Sequence, residues 1–212
     1  MKICYIACAL DCKIEINPKE NDLIIGADRG YFTLVENNID PHVAIGDFDS
    51  YTGEIRCDNT IVFPVKKDDT DSALAIKYAF EQGYKKIVVF GAIGGALDHT
   101  LANVALAAKY AKLGVDIVFV DGDNVLFSVY NRSVSFNEKA HGRISVFSFG
   151  DTAKGVCEKG LMYELDDAVL ENSTPLGVSN EFIGVPAIVS VCDGTLLIYT
   201  SKFNYENCLT KE

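Results

Sequence analysis

Ile87-Val88-Val89-Phe90-Gly91-Ala92-Ile93-Gly94-Gly95-Ala96-Leu97-Asp98-His99 is the stretch from which the fold is read. Four apolar residues in an unbroken run suit a parallel strand covered on both faces. Gly91, Gly94 and Gly95 then allow a sharp turn and a close approach of backbone to a bound group. Leu97, Leu101, Val104, Ala108 and Ala111 step by four and three, which predicts a helix packed through that face and ended by Gly114. Strand, glycine turn and helix in that order point to an α/β layer.

The same alternation extends toward the N-terminus. Further apolar runs at Ile3–Leu10, Leu23–Ala27, Val43–Ile45 and Ile61–Val65, and one downstream at Val115–Val120, read as buried parallel strands. Asp71–Gln82 reads as a helix with Ala73, Ile76, Ala79 and Phe80 on one face, Thr70 as its N-cap and Gly83 as its stop. From Asn124 the helical period disappears. Short β-rich runs follow at Arg143–Phe149, Gly160–Leu165, Ala187–Cys192 and Leu196–Thr200, with Asp193-Gly194 as a hairpin signal. The expected architecture is an α/β N-terminal domain with a mostly parallel sheet over residues 1–123. A small all-β domain, a sandwich or barrel, is expected over 124–212.

Composition sets outer bounds. The chain has 212 residues, 49% hydrophobic and 23% charged, enough to build a real core and unlike a disordered or collagen-like chain. A net charge of −11 argues against a nucleic-acid partner. Seven scattered cysteines, none spaced C-x-x-C, read as reduced thiols in a cytoplasmic protein rather than as a zinc site or disulfide framework. The short apolar start reads as a first buried strand rather than a secretion signal. No apolar run approaches the ~18 residues of a membrane span.

Four strand ends carry the chemistry. Gly46-Asp47-Phe48-Asp49-Ser50 follows the run ending at Ile45; if extended, Asp47 and Asp49 share a face about 7 Å apart. That pair suits either a magnesium ion carrying phosphates or a solvated Asx turn. Lys66-Lys67-Asp68-Asp69-Thr70-Asp71 opens a helix whose first-turn N–H groups favour an anion, although ordinary capping explains it as well. Gly94-Gly95, with Asp98 and His99 just behind, opens the next helix and is neither G-x-G-x-x-G nor a Walker A loop. His99 in such a setting is more often structural than catalytic. Ala27-Asp28-Arg29-Gly30 offers a fork-shaped cation that suits a phosphate or a surface ion pair. Taken together, an aspartate at each of four strand ends points to one magnesium–nucleotide phosphate site at one edge of the sheet.

The ordered series Ala27–Gly30, Gly46–Ser50, Lys67–Asp71 and Gly94–His99, with Ser179-Asn180-Glu181 far downstream, resembles the thiamine pyrophosphokinase (thiamine diphosphokinase) family. The resemblance implies transfer of a diphosphate from ATP to the hydroxyl of thiamine, giving thiamine diphosphate and AMP, with Mg2+ as cofactor. It also implies a homodimer, with thiamine held by the second domain near the facing subunit. By position, Asp47, Asp49, Asp71 and Asp98 form the metal centre, with Asp71 or Asp98 accepting the hydroxyl proton. Asp28, Arg29, Gly30, Lys67, Thr70, Gly94 and Gly95 contact ATP, and Ser179 and Asn180 face thiamine. Read without the resemblance, the stretch around Ser179 is a β-turn.

One position departs from the family pattern: Ala96 stands where an arginine commonly follows the two glycines. The departure implies weaker ATP affinity or altered nucleotide choice, with Arg29 as a partial substitute. Two competing readings remain at this level. A metal-dependent phosphoesterase fits the aspartates but has only His42, His99 and His141 to draw on. A non-catalytic nucleotide- or thiamine-binding regulator fits the loss at Ala96.

Overall fold

A computed structural model describes residues 2–49, 54–64, 68–150 and 152–201 of the chain. Its strands form a large mixed sheet and a smaller, four-stranded antiparallel one. Two compact units divide the residues: one holds those up to Leu106 with Phe119–Gly122, the other Ala107–Val118 and those from Asp123 onward.

In the first unit β1 (Ile3–Ala7), β2 (Leu23–Ala27), β3 (Val43–Gly46), β4 (Thr60–Val62) and β5 (Lys86–Phe90) lie in the order β5-β1-β2-β3-β4. Every pairing among them is parallel. Ile6, Ile25, Ile45 and Ile87 are fully buried, as runs without alternation require. The chain leaves β1 three residues earlier than the apolar run suggests. Cys8 N instead donates to Phe90 O at 2.8 Å and Leu10 N to Gly91 O at 3.1 Å, tying this segment to the glycine turn.

Helices α1 (Gly30–Glu36), α2 (Asp71–Glu81) and α3 (Leu97–Ala111) follow β2, β4 and β5. The sequence gives no periodic signal for α1, which is only two turns long. Gly30 opens it because a side chain there has no room: a Cβ would lie 2.0 Å from the Ala7 carbonyl oxygen. In α2 the buried face is Ser72, Ala75, Ile76 and Ala79, with the expected Ala73 and Phe80 only half-buried at its margins. Small residues at the contact allow the helix to lie close to the sheet, and burying Ile76 contributes roughly 2 kcal/mol.

Helix α3 corrects the expected face more strongly. Asn103, Val104, Ala107, Ala108 and Tyr110 are buried, whereas Leu97 and Leu101 are 72% and 57% exposed. Apolar spacing shows which residues share a helix face, but not how far along the helix that face is covered.

The division between the units runs through α3 and through β6 (Asp116–Asp121). The second unit then comprises β7 (Asn124–Tyr130), β8 (Ser133–Phe136), β9 (Arg143–Ser148), β10 (Ala153–Lys159), β11 (Leu165–Leu170), β12 (Gly177–Glu181), β13 (Ala187–Ser190) and β14 (Thr195–Thr200). Strands β12-β9-β14-β7 pair antiparallel, as do β11-β10-β13-β8. Phe136, Ile144, Leu170 and Leu196 fill its core.

Two expectations fail in this unit. Residues 160–164 are not a strand but a connection with a single bridge, Leu161 to Phe182, and only Leu165 belongs to a strand, as the first residue of β11. Asp193-Gly194 is not a hairpin turn. The strand before it, β13, pairs with β8 and β10, while β14 pairs with β7 and β9, so the dipeptide carries the chain from one set of strands to the other. Among the described residues, no helix is long and apolar enough to cross a membrane.

Candidate active site

In the first unit, β1 is flanked by β5 on one side and β2 on the other, while the chain order steps outward through β3 and β4. Strand order therefore reverses beside β1, and α/β sheets bind ligands at the carboxyl ends of such strands. A cavity of about 330 Å3 lies there, within the usual size for a small-molecule site. Cys8, Ala9 and Leu10 after β1 form part of its wall, as do Ala27 and Asp28 at β2 and Gly91 and Ala92 at β5. Thr70, Asp71 and Ser72 at the start of α2 complete it with Gly95, Ala96, His99, Thr100 and Asn103.

Local chemistry explains each wall. The Thr70 backbone is extended and its Oγ1 accepts a hydrogen bond from Ala73 N at 3.2 Å, as a helix N-cap does. The remaining first-turn N–H groups and the positive end of the α2 dipole stand at the cavity, where they favour an anion. Asp28 turns the chain between β2 and α1 with φ of 48°, its N–H donating to Ile45 O at 2.7 Å. Gly94 has φ of 89°, and a Cβ there would meet Asp121 Oδ2 at 2.7 Å. That crowding and that conformation both call for glycine.

A buried relay links the walls. Thr70 Oγ1 lies 3.0 Å from Ser72 Oγ, Ser72 Oγ donates to Asn103 Oδ1 at 2.8 Å, and Asn103 Nδ2 donates to Ala92 O at 2.6 Å. The relay ties the cap of α2, the middle of α3 and the glycine turn together. Neither Ser72 nor Asn103 is singled out by the sequence, because a polar residue on a helix face resembles a solvated one until its burial is known.

The site residues expected from sequence fall into distinct groups. Asp28, Thr70, Asp71 and Gly95 meet at the cavity, joined by His99. Arg29 is exposed and its Nη2 pairs with both carboxylate oxygens of Asp11 at 2.9 and 3.0 Å. Gly30 is buried against Ala7, and Gly94 is exposed on the glycine turn. Asp47 and Asp49 follow β3 without forming an extended pair: Phe48 between them has φ of 53°, and Asp49 N donates to Asp47 Oδ1 at 3.3 Å. Asp98 is exposed in the first turn of α3, where its Oδ1 accepts from His99 N at 2.9 Å. Lys67 lies outside the described residues. Among the described residues, no three of His, Cys, Asp and Glu gather closely enough to cage a metal ion.

Cys8 shows what the cavity's apolar wall does to a thiol. Burial pushes its pKa up to about 12, with Cys12 and Asp71 adding repulsion, so it is a packed neutral group rather than a nucleophile. All six described cysteines are free thiols.

Ser179 and Asn180 lie on β12 in the second unit, not in a β-turn. Ser179 is exposed with φ of 63° and its N–H donates to Ser145 Oγ at 3.0 Å. Asn180 is buried, and its side chain is fully used. Its Nδ2 donates to Glu158 Oε2 at 3.0 Å and to Tyr163 O at 2.6 Å, while its Oδ1 accepts from Tyr163 N and Glu181 N, both at 2.9 Å.

Comparison with known proteins places this geometry in context. Residues 17–119 match the family model described as the thiamin pyrophosphokinase catalytic domain, and 133–196 the one described as its vitamin B1 binding domain. The thiamine pyrophosphokinase of Bacillus subtilis is 31% identical over 189 residues, covering 86% of this chain and 88% of that protein. A crystal structure of thiamine pyrophosphokinase from Bacillus subtilis superposes with a TM-score of 0.82 at 27% identity, covering 96% of this chain and all of that one. A thiamin pyrophosphokinase structure from Geobacillus thermodenitrificans gives 0.78 at 30% identity, covering 99% and 100%.

Proposed function

The chain belongs to the thiamin pyrophosphokinase family, and from that membership we propose how its residues divide the work of making thiamine diphosphate from ATP and thiamine. The activity is ATP-dependent diphosphate transfer. The phosphoesterase and regulator readings lose their ground, because both family models match in order and the relatives carry the kinase name. One observation carries the division of labour: Asp28, Thr70, Asp71 and Gly95 meet in a single cavity at the carboxyl edge of the parallel sheet.

In the reaction the thiamine hydroxyl oxygen forms a bond to the β-phosphorus as the bond from that phosphorus to the α,β-bridging oxygen breaks. AMP departs with the bridging oxygen, and the hydroxyl proton passes to an aspartate. Such transfers depend on positioning and charge stabilisation more than on covalent help. The α2 N-terminus capped by Thr70, the N–H groups around Gly94 and Gly95, and Lys67 bind the phosphate chain. Asp28, Arg29 and Gly30 contact the rest of ATP, Arg29 by exchanging its exposed Asp11 pair for the ligand. Asp71 or Asp98 takes the proton; Asp71 is favoured by its place on the cavity wall.

Magnesium is part of the same proposal. Asp47 and Asp49 follow β3, Asp71 opens α2 after β4 and Asp98 lies in the first turn of α3 after β5, and all four offer hard oxygen donors. Magnesium usually needs only one or two carboxylates besides substrate phosphates, so an all-protein cage is not required. When bound, the ion supplies neutralisation of phosphate charge.

The second domain, residues 124–212, takes thiamine, with exposed Ser179 at its surface and Asn180 holding the strand from within. Residues 1–123 form the ATP-binding catalytic domain. A homodimer is supported by apolar side chains left exposed, among them Leu97 and Leu101 on the first unit and Met162, Ile183 and Val185 on the second. A reducing, cytoplasmic setting is supported by the free thiols.

The test is incubation with ATP, thiamine and magnesium, followed by chromatography, with a control lacking thiamine. AMP and thiamine diphosphate are expected in equal amounts. ADP with thiamine monophosphate would place the attack at the γ-phosphorus, and phosphate released without thiamine would revive the hydrolase.

A further inference from the structure

Glu158, on β10, has none of its surface exposed, and nothing in the proposed chemistry uses it. Its Oε2 accepts the hydrogen bond from Asn180 Nδ2, while its Oε1 has no partner among the described residues. The groups that face it are Leu165 and Val189, its register partners on β11 and β13, with Gly177 and Asn180 on β12. None of these ionises. Lys159, next along β10, is paired with Glu164 and Asp166, and successive residues on a strand point to opposite faces. The carboxyl thus sits in apolar surroundings with one polar neighbour.

That neighbour controls a larger piece of backbone. Asn180 holds both the N–H and the carbonyl of Tyr163 and so closes the 160–164 connection onto β12. Directly before it Ser179 stands at φ of 63°, a conformation that a residue other than glycine keeps only when its surroundings enforce it. Ser145 on β9 accepts from Ser179 N, and the Asn180 clamp fixes the residue directly after it.

We infer that Glu158 is a positioning residue for the thiamine side of the reaction, acting through Asn180 to keep Ser179 and the 160–164 connection in place. The inference rests on the reading that Ser179 faces thiamine. With its proton on the unpartnered Oε1, Glu158 keeps Oε2 as the acceptor for Asn180, which matches the bonds present. Loss of the proton leaves a charge beside Leu165 and Val189 with a single hydrogen bond. Burial raises the carboxyl to about 7, opposed by the Asn180 bond, so this change falls near neutral pH. A buried charge is tolerated only where water reaches it, so the packing of β10 around Asn180 opens as pH rises through that value, and thiamine binding weakens while ATP binding does not.

The test compares the parent protein with Glu158→Gln and Ser179→Gly. Glutamine keeps an acceptor for Asn180 and cannot ionise; glycine removes the hydroxyl and tolerates the positive φ. KM values for thiamine and for ATP are measured between about pH 6 and about pH 8, with the thermal midpoint of each variant as a check on folding. In the parent protein the thiamine KM is expected to rise about threefold or more over that range, relative to Glu158→Gln, with no such divergence for ATP. Titration of 13C-labelled glutamate carboxyls is expected to show a resonance near pH 7 that Glu158→Gln removes. If Ser179→Gly raises the thiamine KM but the parent and Glu158→Gln share one pH profile, the role of Glu158 is overturned and the thiamine reading stands. If Ser179→Gly leaves the thiamine KM unchanged, the thiamine reading itself fails, and the inference with it.

Discussion

Ser72 on α2 and Asn103 on α3, thirty-one positions apart, are joined by a buried hydrogen bond of 2.8 Å. Its direction orders its neighbours. With its one hydroxyl hydrogen given to Asn103 Oδ1, Ser72 can only accept from the Thr70 hydroxyl, whose oxygen also accepts from Ala73 N. Asn103 passes the polarity on through Nδ2 to Ala92 O. The cap of α2 and the glycine turn are thereby held to one another by two buried side chains.

Asn103→Ala should lower stability by about 1–3 kcal/mol, since Ser72 and the Ala92 carbonyl each lose a buried partner. The ATP KM should rise together with that loss, while the thiamine KM moves little. Thermal unfolding and steady-state kinetics on the same preparation check both.

Thr70→Ala should cost about 1 kcal/mol of stability through loss of the cap. It should also raise the ATP KM, and Thr70→Ser should restore most of both losses because serine caps equally well. A Thr70→Ala variant with unaltered ATP kinetics would remove the capped N-terminus from the phosphate site.

Asp71→Asn should reduce turnover by about a hundredfold or more while leaving the fold intact, whether its carboxylate takes the proton or binds magnesium. Near-parental activity in the folded variant, judged by circular dichroism, would take Asp71 out of the chemistry.

Ala96→Arg should lower the ATP KM by up to about tenfold, as one charge-assisted hydrogen bond to phosphate contributes about 1.5 kcal/mol. Ala96 is exposed on the cavity wall, so the longer side chain has room to extend toward the phosphates proposed to bind there. An unchanged ATP KM would mean that the guanidinium is not needed at this position.

Stability should fall between about pH 4.5 and pH 7. Over that interval an unfolded glutamate releases its proton near 4.5 while Glu158 in the folded chain holds its own to about 7. The folded state binds the extra proton, so raising the pH favours unfolding, by up to roughly 3 kcal/mol in total. Glu158→Gln should remove this component and be the more stable protein above pH 7, as measured by urea unfolding at several pH values.

Much of this was legible without coordinates, and for a clear reason. Parallel strands buried on both faces leave unbroken apolar runs, so β2, β3 and β5 can be read almost to the residue. The Thr70 cap is legible because it is made within four residues, Thr70 to Ala73. The family resemblance likewise depends on residue order, which the chain carries by itself.

What the chain by itself could not determine was everything that depends on partners distant in sequence. Asp193-Gly194 has the composition of a hairpin turn, yet pairing with β8 and β10 before it and β7 and β9 after it makes it a crossover. Asp47 and Asp49 sit two apart in either case, and only the φ of 53° at Phe48 shows that they do not share a strand face. Arg29 is equally suited to a phosphate or an ion pair until Asp11 is seen beside it. Asn180 and Glu158, twenty-two positions apart, become a unit only once two strands of different sheets enclose them. Local propensity and order fixed the elements and the chemistry available to them; burial and long-range hydrogen bonding, which exist only in the folded chain, decided which of those groups meet.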